Sequence, residues 1–246
     1  SLNMNSKEKI DYISNWIKNY AVSNNFDSLI VGISGGIDSA VTSALCAKTN
    51  LKTFVVSMPI LDHQTLNKRG ENHINWLKEN FTNIENFDAN LSDVFKSFQS
   101  VLKSNSSEHG YANSQARLRM ATLYQIAASN NGIVVGTGNK VEDFGVGFYT
   151  KYGDGGVDIS PIADCLKTDI WEMGKELKIN QDIIDAPPTD GLWIDGRTDE
   201  EQVGLSYDQI EEAMLNENSP NRKKYLDIRL KNIHKMNPIP VCKLPD

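Results

Sequence analysis

The sequence predicts an α/β fold, a doubly wound parallel sheet of the Rossmann-like kind. Three observations carry this. Short apolar runs at 29–33, 53–58 and 133–136 are too short for helices and read as buried parallel strands. Longer segments with helical spacing lie between them. The first run ends in a Gly-Gly turn that opens directly into one of those helices. Strands alternating with helices, joined by right-handed crossovers, place helices on both faces of a parallel sheet.

In chain order, Ile10, Ile13, Ile17 and Tyr20 recur at helical spacing and mark a first helix. After the strand at 29–33, residues 38–48 read as a helix rich in Ala and Leu. The strand at 53–58 is stopped by Pro59. Residues 65–80 read as helix and 83–88 as a weak third strand. Helical patterns at 91–103 and 113–130 precede the strand at 133–136. Gly145, Gly147, Gly153, Gly155 and Gly156 then break the pattern into a loop where backbone can approach a ligand closely. Leu166, Ile170, Met173 and Leu177 mark another amphipathic helix. Residues 182–201 are acidic and contain Pro187, Pro188, Gly191 and Gly196, the composition of a solvated loop or a functional lid. Helix returns at 207–215 and 220–235.

The chain has 246 residues, 39% of them hydrophobic, which suits one domain over 1–246 with a substantial core. No apolar run approaches the ~20 residues that span a bilayer. The N-terminus has no signal-type apolar core, and residues 1–3, ahead of Met4, read as a cloning remnant. A net charge of −7 argues against nucleic acid as partner but leaves room for an anionic small molecule on a local basic cluster. Cys46, Cys165 and Cys242 form neither a metal-type pair nor a disulfide framework, so the expected compartment is the cytoplasm. Cys46 reads as a small core residue, and His63, His73 and His109 as surface or satisfied polar residues.

The strongest local signal is Gly32-Ile33-Ser34-Gly35-Gly36-Ile37-Asp38-Ser39, between a strand and a helix. The helix offers unpaired N–H groups and the positive end of its dipole. Gly35 and Gly36 let backbone curl against phosphate, and Ser34 and Ser39 add hydroxyls. Asp38 would repel bare phosphate and makes sense where Mg²⁺ bridges the two. No Lys follows the glycines, which excludes a Walker loop, and the third Gly of the dinucleotide fingerprint is missing. The competing structural reading is a Gly-rich turn with Asp38 and Ser39 as helix caps.

Ser-Gly-Gly-x-Asp-Ser is similar to the signature loop of the ATP pyrophosphatases, which have the adenine nucleotide alpha hydrolase-like fold and cleave ATP between its α and β phosphates. GMP, asparagine and argininosuccinate synthetases share that loop, as do tRNA-modifying enzymes. Downstream segments choose among them. Gln115-Ala116-Arg117-Leu118-Arg119-Met120, Gly136-Thr137-Gly138-Asn139-Lys140-Val141-Glu142 and Thr150-Lys151-Tyr152-Gly153-Asp154-Gly155-Gly156-Val157-Asp158 resemble segments of the ammonia-dependent NAD⁺ synthetases. Lys167-Thr168, Pro188-Thr189 and His234-Lys235 follow in the expected order, so the resemblance runs from about residue 10 to 240.

That resemblance implies an ATP-dependent amidation of deamido-NAD⁺ by ammonia through an adenylate. It implies ATP on residues 32–39 with Thr137, Lys167 and Thr189. It implies deamido-NAD⁺ on Arg117, Lys151, Asp158, His234 and Lys235, and Mg²⁺ on Asp38 and Glu142. Asp38, Lys167 and Asp158 would be the catalytic group, Asp154 would make polar contacts near the reacting end, and Phe148 or Tyr149 would stack on the nicotinate ring. Glu142 and Lys151 lie nine positions apart where eight is the expected spacing. An insertion near Gly145 accounts for this; if the gap lies earlier, Asp143 takes the metal. Without the flanking match, Arg117 and Arg119 would read as a solvated helix face. The resemblance further implies a homodimer with deamido-NAD⁺ bound across the subunit interface, and the helices at 91–103 and 113–130, apolar on more than one face, are the expected interface. A nitrilase-type glutaminase domain would not fit in this length, so ammonia is expected free or from another subunit. Two alternatives stay open: another ATP pyrophosphatase, such as a tRNA-modifying ligase, and a nucleotide sensor of the universal-stress type.

Overall fold

The computed structural model describes residues 3–60, 64–193 and 195–246; Ser1, Leu2 and His63 lie outside the described residues. Helix α1 (Ser6–Ser23) opens with a capping box, in which Asn5 Oδ1 accepts the Glu8 N–H at 2.9 Å and Glu8 accepts the Asn5 N–H at 3.3 Å. Strand β1 (Ser28–Ile33) leads into α2 (Ile37–Ala47), β2 (Lys52–Ser57) into α3 (Gln64–Asn80), and β3 (Ile84–Asp88) into α4 (Ser92–Leu102) and α5 (Glu108–Ser129). Strand β4 (Gly132–Val134) is followed by a π-helical turn (Val141–Val146). The remainder holds α6 (Lys167–Glu176), α7 (Gln181–Ile184), α8 (Asp199–Val203), α9 (Tyr207–Leu215) and α10 (Arg222–Met236).

The four strands are parallel in the order β3-β2-β1-β4. The chain steps outward from β1 to β3 and then returns to the other side of β1. The reversal between β1 and β4 opens a crevice beyond their carboxyl ends, where ligands bind in such sheets. Side chains alternate across the sheet with period two. Leu29, Val31 and Ile33 pack with Ile17, Val41, Leu77 and Met173, from α1, α2, α3 and α6. Ile30, Phe54, Val56 and Val134 face the other way, onto Phe95 of α4 and Ala127 of α5. A third cluster joins Val141 and Val146 of the π-turn to Tyr207, Ile210 and Ala213 of α9 and Tyr225 of α10.

Several bounds differ from the sequence reading. Strand β4 ends at Val134; Val135 still donates its N–H to the Ile30 carbonyl at 2.9 Å, but it also bridges Ile159 in parallel, with the Gly136 N–H donating to the Ile159 carbonyl at 2.8 Å. Helix α5 starts at Glu108, where Ser107 accepts the Gly110 N–H at 3.2 Å. The irregular acidic stretch holds the ends of two short helices, α7 and α8. Cys46 is buried, as its reading required. Among the described residues no helix is long and apolar enough to cross a membrane.

His73 is not a surface residue. It is fully buried beneath α2, with Nε2 2.8 Å from Ser43 Oγ, its ring stacked on Trp76 and Nδ1 without a partner. Burial disfavours the charged ring and lowers its pKa from 6.5 to about 4. A depressed histidine contributes stability that is complete above pH 6.5 and lost as pH falls towards 4, roughly 3 kcal/mol over that window. His73→Gln should therefore flatten the pH dependence of the urea midpoint between pH 6.5 and 4; an unchanged slope would assign the acid sensitivity elsewhere.

Candidate active site

Beyond the carboxyl ends of β1 and β4 lies a cavity of about 790 Å³, lined along one wall by the whole of Gly32 to Ser39. Gly35 sits at φ +89°, and a Cβ there would collide with the Leu66 carbonyl oxygen, so no other residue fits. The loop is tied internally. Ser39 Oγ accepts the Ser34 N–H at 3.1 Å, and Ser34 Oγ accepts the Gly36 N–H at 3.2 Å. No side chain caps α2, so its first N–H groups stay open towards the cavity. The capping alternative for Asp38 and Ser39 is therefore not what the structure adopts.

Asp38 meets two partners instead. Lys167 Nζ lies 3.0 Å from both carboxylate oxygens, and Asn139 Nδ2 donates to Oδ2 at 3.1 Å. Lys167 begins α6 and is only 3% exposed. Its ammonium stands 4.9 Å from the Tyr207 ring centroid and 5.7 Å from that of Trp171. Burial works against this charge, but Asp38 and Glu142 outweigh it and hold the pKa above the ordinary lysine value. Glu211 of α9 accepts the Thr168 N–H at 3.1 Å and so anchors the same end of α6.

Glu142 arrives by way of Asn139. The Glu142 N–H donates to Asn139 Oδ1 at 3.0 Å, and Glu142 Oε1 accepts the Asn139 N–H at 3.3 Å. Burial, and next the charge of Asp38, raise the Glu142 pKa well above the carboxylate range. Asp143 is pushed up to about 7 by burial, then by Asp154 and Asp38, and its carboxylate lies against the Cα of Gly138. The turn at Val141–Val146 is π-helical and carries Glu142 and Asp143 together at its start. Two carboxylates that repel one another across the mouth of a phosphate-binding loop suit a divalent cation. Among the described residues no group of three or more acidic, His or Cys side chains converges. Mg²⁺ can be held by as few as one or two carboxylates when phosphate and water complete its shell.

The cavity also takes in Thr137, Thr189, Arg117, Lys151, Asp154, Phe148, Tyr149, His234 and Lys235. Arg117 Nε donates to the Lys151 carbonyl at 3.1 Å, and Lys235 Nζ donates to the Tyr149 carbonyl at 2.7 Å. Thr189 belongs to a stretch packed down over the cavity. Its hydroxyl donates to the Arg197 carbonyl at 2.8 Å, and Gln115 of α5 reaches the Leu192 carbonyl at 3.3 Å. Asp158 stands apart and does not line the cavity. Its carboxylate accepts the Tyr124 hydroxyl at 3.0 Å and the Val134 N–H at 2.8 Å, so in this chain it fastens the end of β4 to α5. His109 is exposed at the cavity rim.

Asn139, Tyr207 and Asp199 are residues the sequence reading did not single out. Asn139 stood inside a quoted motif, and its complete burial is what distinguishes it. Asp199 is buried, accepts the Tyr207 hydroxyl at 2.9 Å, leaves Oδ1 without a partner, and is pushed up to about 6 by burial. Nothing local in the sequence marks Tyr207 or Asp199, because both reach Lys167 only through the packing of α8 and α9.

A family model described as NAD synthase matches residues 9–238. The chain is 37% identical over 239 residues to the NH(3)-dependent NAD(+) synthetase of Mesoplasma florum, covering 95% of this chain and 93% of that one. Among solved structures it resembles the NMN synthetase of Francisella tularensis, with a TM-score of 0.89, 30% identity, and coverage of 99% and 100%. The NH3-dependent NAD synthetase of Campylobacter jejuni shares the fold, with a TM-score of 0.79 at 22% identity and coverage of 98% and 100%.

Removing the lysine from a buried pair leaves the carboxylate uncompensated, which typically costs about 3–5 kcal/mol. Lys167→Met is expected to lower the unfolding free energy by about that amount in urea titration. A midpoint equal to that of the wild type would show that Asp38 and Glu142 do not depend on this charge.

Proposed function

We propose, for a chain that belongs to the NAD synthase family of ligases, that its reaction is the amidation of deamido-NAD⁺ by ammonia, driven by ATP and yielding NAD⁺, AMP and pyrophosphate. What supports this most is one cavity that takes in both the loop at 32–39 with Lys167 and the cationic residues Arg117, Lys151, His234 and Lys235. The nicotinate carboxylate attacks the α-phosphorus of ATP, the bond to the β-phosphate oxygen breaks, and pyrophosphate leaves. Ammonia then attacks the acyl carbon and AMP departs with its phosphate oxygen. Both steps build negative charge on oxygen, and preorganised donors are what lower their barriers.

The open N–H groups of α2 and the Lys167 ammonium would bind the departing phosphates. Asp38 and Glu142 would hold Mg²⁺, with Asn139 setting their spacing. Bound there, the cation neutralises phosphate charge and fixes its geometry. Arg117 would bind the substrate pyrophosphate through its planar fork. Thr137 and Thr189 would contact ATP, and the stretch around Thr189 would exclude the water that competes with ammonia. Val94 and Val101 on α4, 50% and 70% exposed, are apolar surface of the kind that a homodimer would cover.

A second reading, amidation of the nicotinate mononucleotide, is favoured by the likeness to the Francisella NMN synthetase.

Release of AMP and pyrophosphate from ATP with Mg²⁺ and ammonium is expected to require a nicotinate nucleotide, and glutamine should not replace ammonium. Comparing kcat/KM for deamido-NAD⁺ and the mononucleotide separates the two readings. Cleavage of ATP that ignores both would overturn them together.

Ammonium must lose a proton before it attacks. Asp154 lines the cavity, is open to solvent, and accepts the Thr150 N–H at 2.7 Å. Its ionised form, the one that can take a proton, is lost towards acid pH. At constant free ammonia Asp154→Asn should lower kcat roughly 100-fold and flatten the acid limb of the pH profile. An acid limb that survives in the variant would remove Asp154 from this role.

A further inference from the structure

The stretch over the cavity is closed at its base by two hydrogen bonds. The Thr189 hydroxyl donates to the Arg197 carbonyl at 2.8 Å, and the Asp199 N–H donates to the Pro188 carbonyl at 2.8 Å. Thr189 is therefore held from the far end of its own loop. Asp199 completes that base and begins α8. Its backbone serves the loop, but its side chain goes elsewhere. It is only 6% exposed, lines the cavity, and accepts the Tyr207 hydroxyl on Oδ2 at 2.9 Å. It does not cap α8, because Thr198 does so by accepting the Glu201 N–H at 3.2 Å. A carboxylate buried without capping duty, and with Oδ1 left unpaired, is costly to keep.

Tyr207 carries the contact onward. Its ring centroid lies 4.9 Å from Lys167 Nζ, and the ring meets Trp171 edge-on at 6.2 Å. Burial disfavours the charge on Asp199, and Lys167 is the cation that offsets that cost. Asp199 is thus bonded to both arms of the site. Its backbone holds the Pro188–Thr189 corner, and its side chain holds the ring beneath Lys167. Other bonds of the stretch lead away from Lys167: Gln115 reaches the Leu192 carbonyl from α5, and Trp193 and Asp190 both bond Gln202. The Tyr207 N–H adds a longer bond, 3.3 Å, to Glu200.

We propose that Asp199 is a positioning residue that sets Thr189 against Lys167, so that both meet the phosphates of one ATP. It touches no reacting atom itself. This rests on the reading of function above, in which Thr189 and Lys167 contact ATP. Two donors on separate segments grip one anion well only when their separation is fixed before it arrives; otherwise binding must supply the ordering. The Asp199–Tyr207 bond fixes that separation. Asp199→Asn keeps an acceptor for the Tyr207 hydroxyl, and Tyr207→Phe keeps the ring beneath Lys167 while losing the bond alone.

The test is calorimetric binding of ATP with Mg²⁺, and separately of deamido-NAD⁺ and the nicotinate mononucleotide. The proteins are wild type, Asp199→Ala, Asp199→Asn, Tyr207→Phe and the double variant of Asp199→Ala with Tyr207→Phe. Asp199→Ala and Tyr207→Phe should each weaken ATP on the order of 10-fold, the loss expected for a hydrogen bond to a charged group. The double variant should lose no more than either, because both remove one bond. Asp199→Asn should restore most of the ATP affinity, and binding of the nicotinate nucleotide should match wild type throughout. Wild-type ATP affinity in Tyr207→Phe overturns the proposal, as does an additive loss in the double variant. Asp199→Asn as weak as Asp199→Ala overturns it too, since charge rather than the bond would then matter. Equal weakening of ATP and nicotinate nucleotide makes Asp199 a residue of the fold. If Asp199→Ala does not fold, Tyr207→Phe and Asp199→Asn decide on the same ligands. Wild-type protein that binds neither ATP nor a nicotinate nucleotide would overturn the functional reading, and this assignment with it.

Discussion

The Lys167 ammonium is the point on which the rest of the site depends. It is buried, it bonds both oxygens of Asp38, and it is ringed by Glu142, Asp199, Trp171 and Tyr207. Those residues come from α2, the π-turn, α8, α6 and α9, so one charge ties the sheet, its loops and the C-terminal helices together. A buried cation of this kind is tolerated only when opposite charge and hydrogen bonds surround it. The surplus of carboxylates here exceeds what one lysine can balance. That surplus explains why burial and mutual repulsion raise Glu142, Asp143 and Asp199 together.

The topology decides where that charge gathers. Strands β1 and β4 are neighbours in the sheet although nearly a hundred residues separate them in sequence. The loops that follow them, one carrying Asp38 and the other Asn139 and Glu142, therefore open on one crevice. The chain carries a net charge of −7, yet its cavity collects Arg117, Arg119, Lys151, Lys167, His234 and Lys235. These stand beside Asp38, Glu142, Asp143, Asp154, Asp190 and Asp199 in the same lining, so the cavity carries charge of both signs and its local balance departs from that of the whole chain.

Strands β1, β2 and β4 were legible as apolar runs because a strand covered on both faces admits little else, whereas β3, an exposed edge, left only a weak signal. The phosphate loop was legible because Gly35 must reach φ +89° against the Leu66 carbonyl. The early end of β4 was not, since Val135 is apolar whether or not it bridges Ile159. His73 was read as a surface or satisfied residue because a polar ring in an amphipathic helix carries no local mark of the Ser43 and Trp76 that bury it. Asp158 matched a motif by position, but whether its carboxylate meets a ligand or Tyr124 depends on how α5 lies across β4.

The sequence by itself determined the order of strands and helices, the glycine loop between β1 and α2, and the residue types along it. Periodicity and glycine placement are local properties of a chain, and they act before any long-range contact forms. Only the tertiary structure decided which charges meet. It paired Lys167 with Asp38, set Asn139 between two carboxylates, and turned Arg119 inward while leaving Arg117 at the rim. Those outcomes depend on crossovers and helix packing over long stretches of chain, and electrostatic energy in a buried site is set by distance and burial rather than by sequence separation.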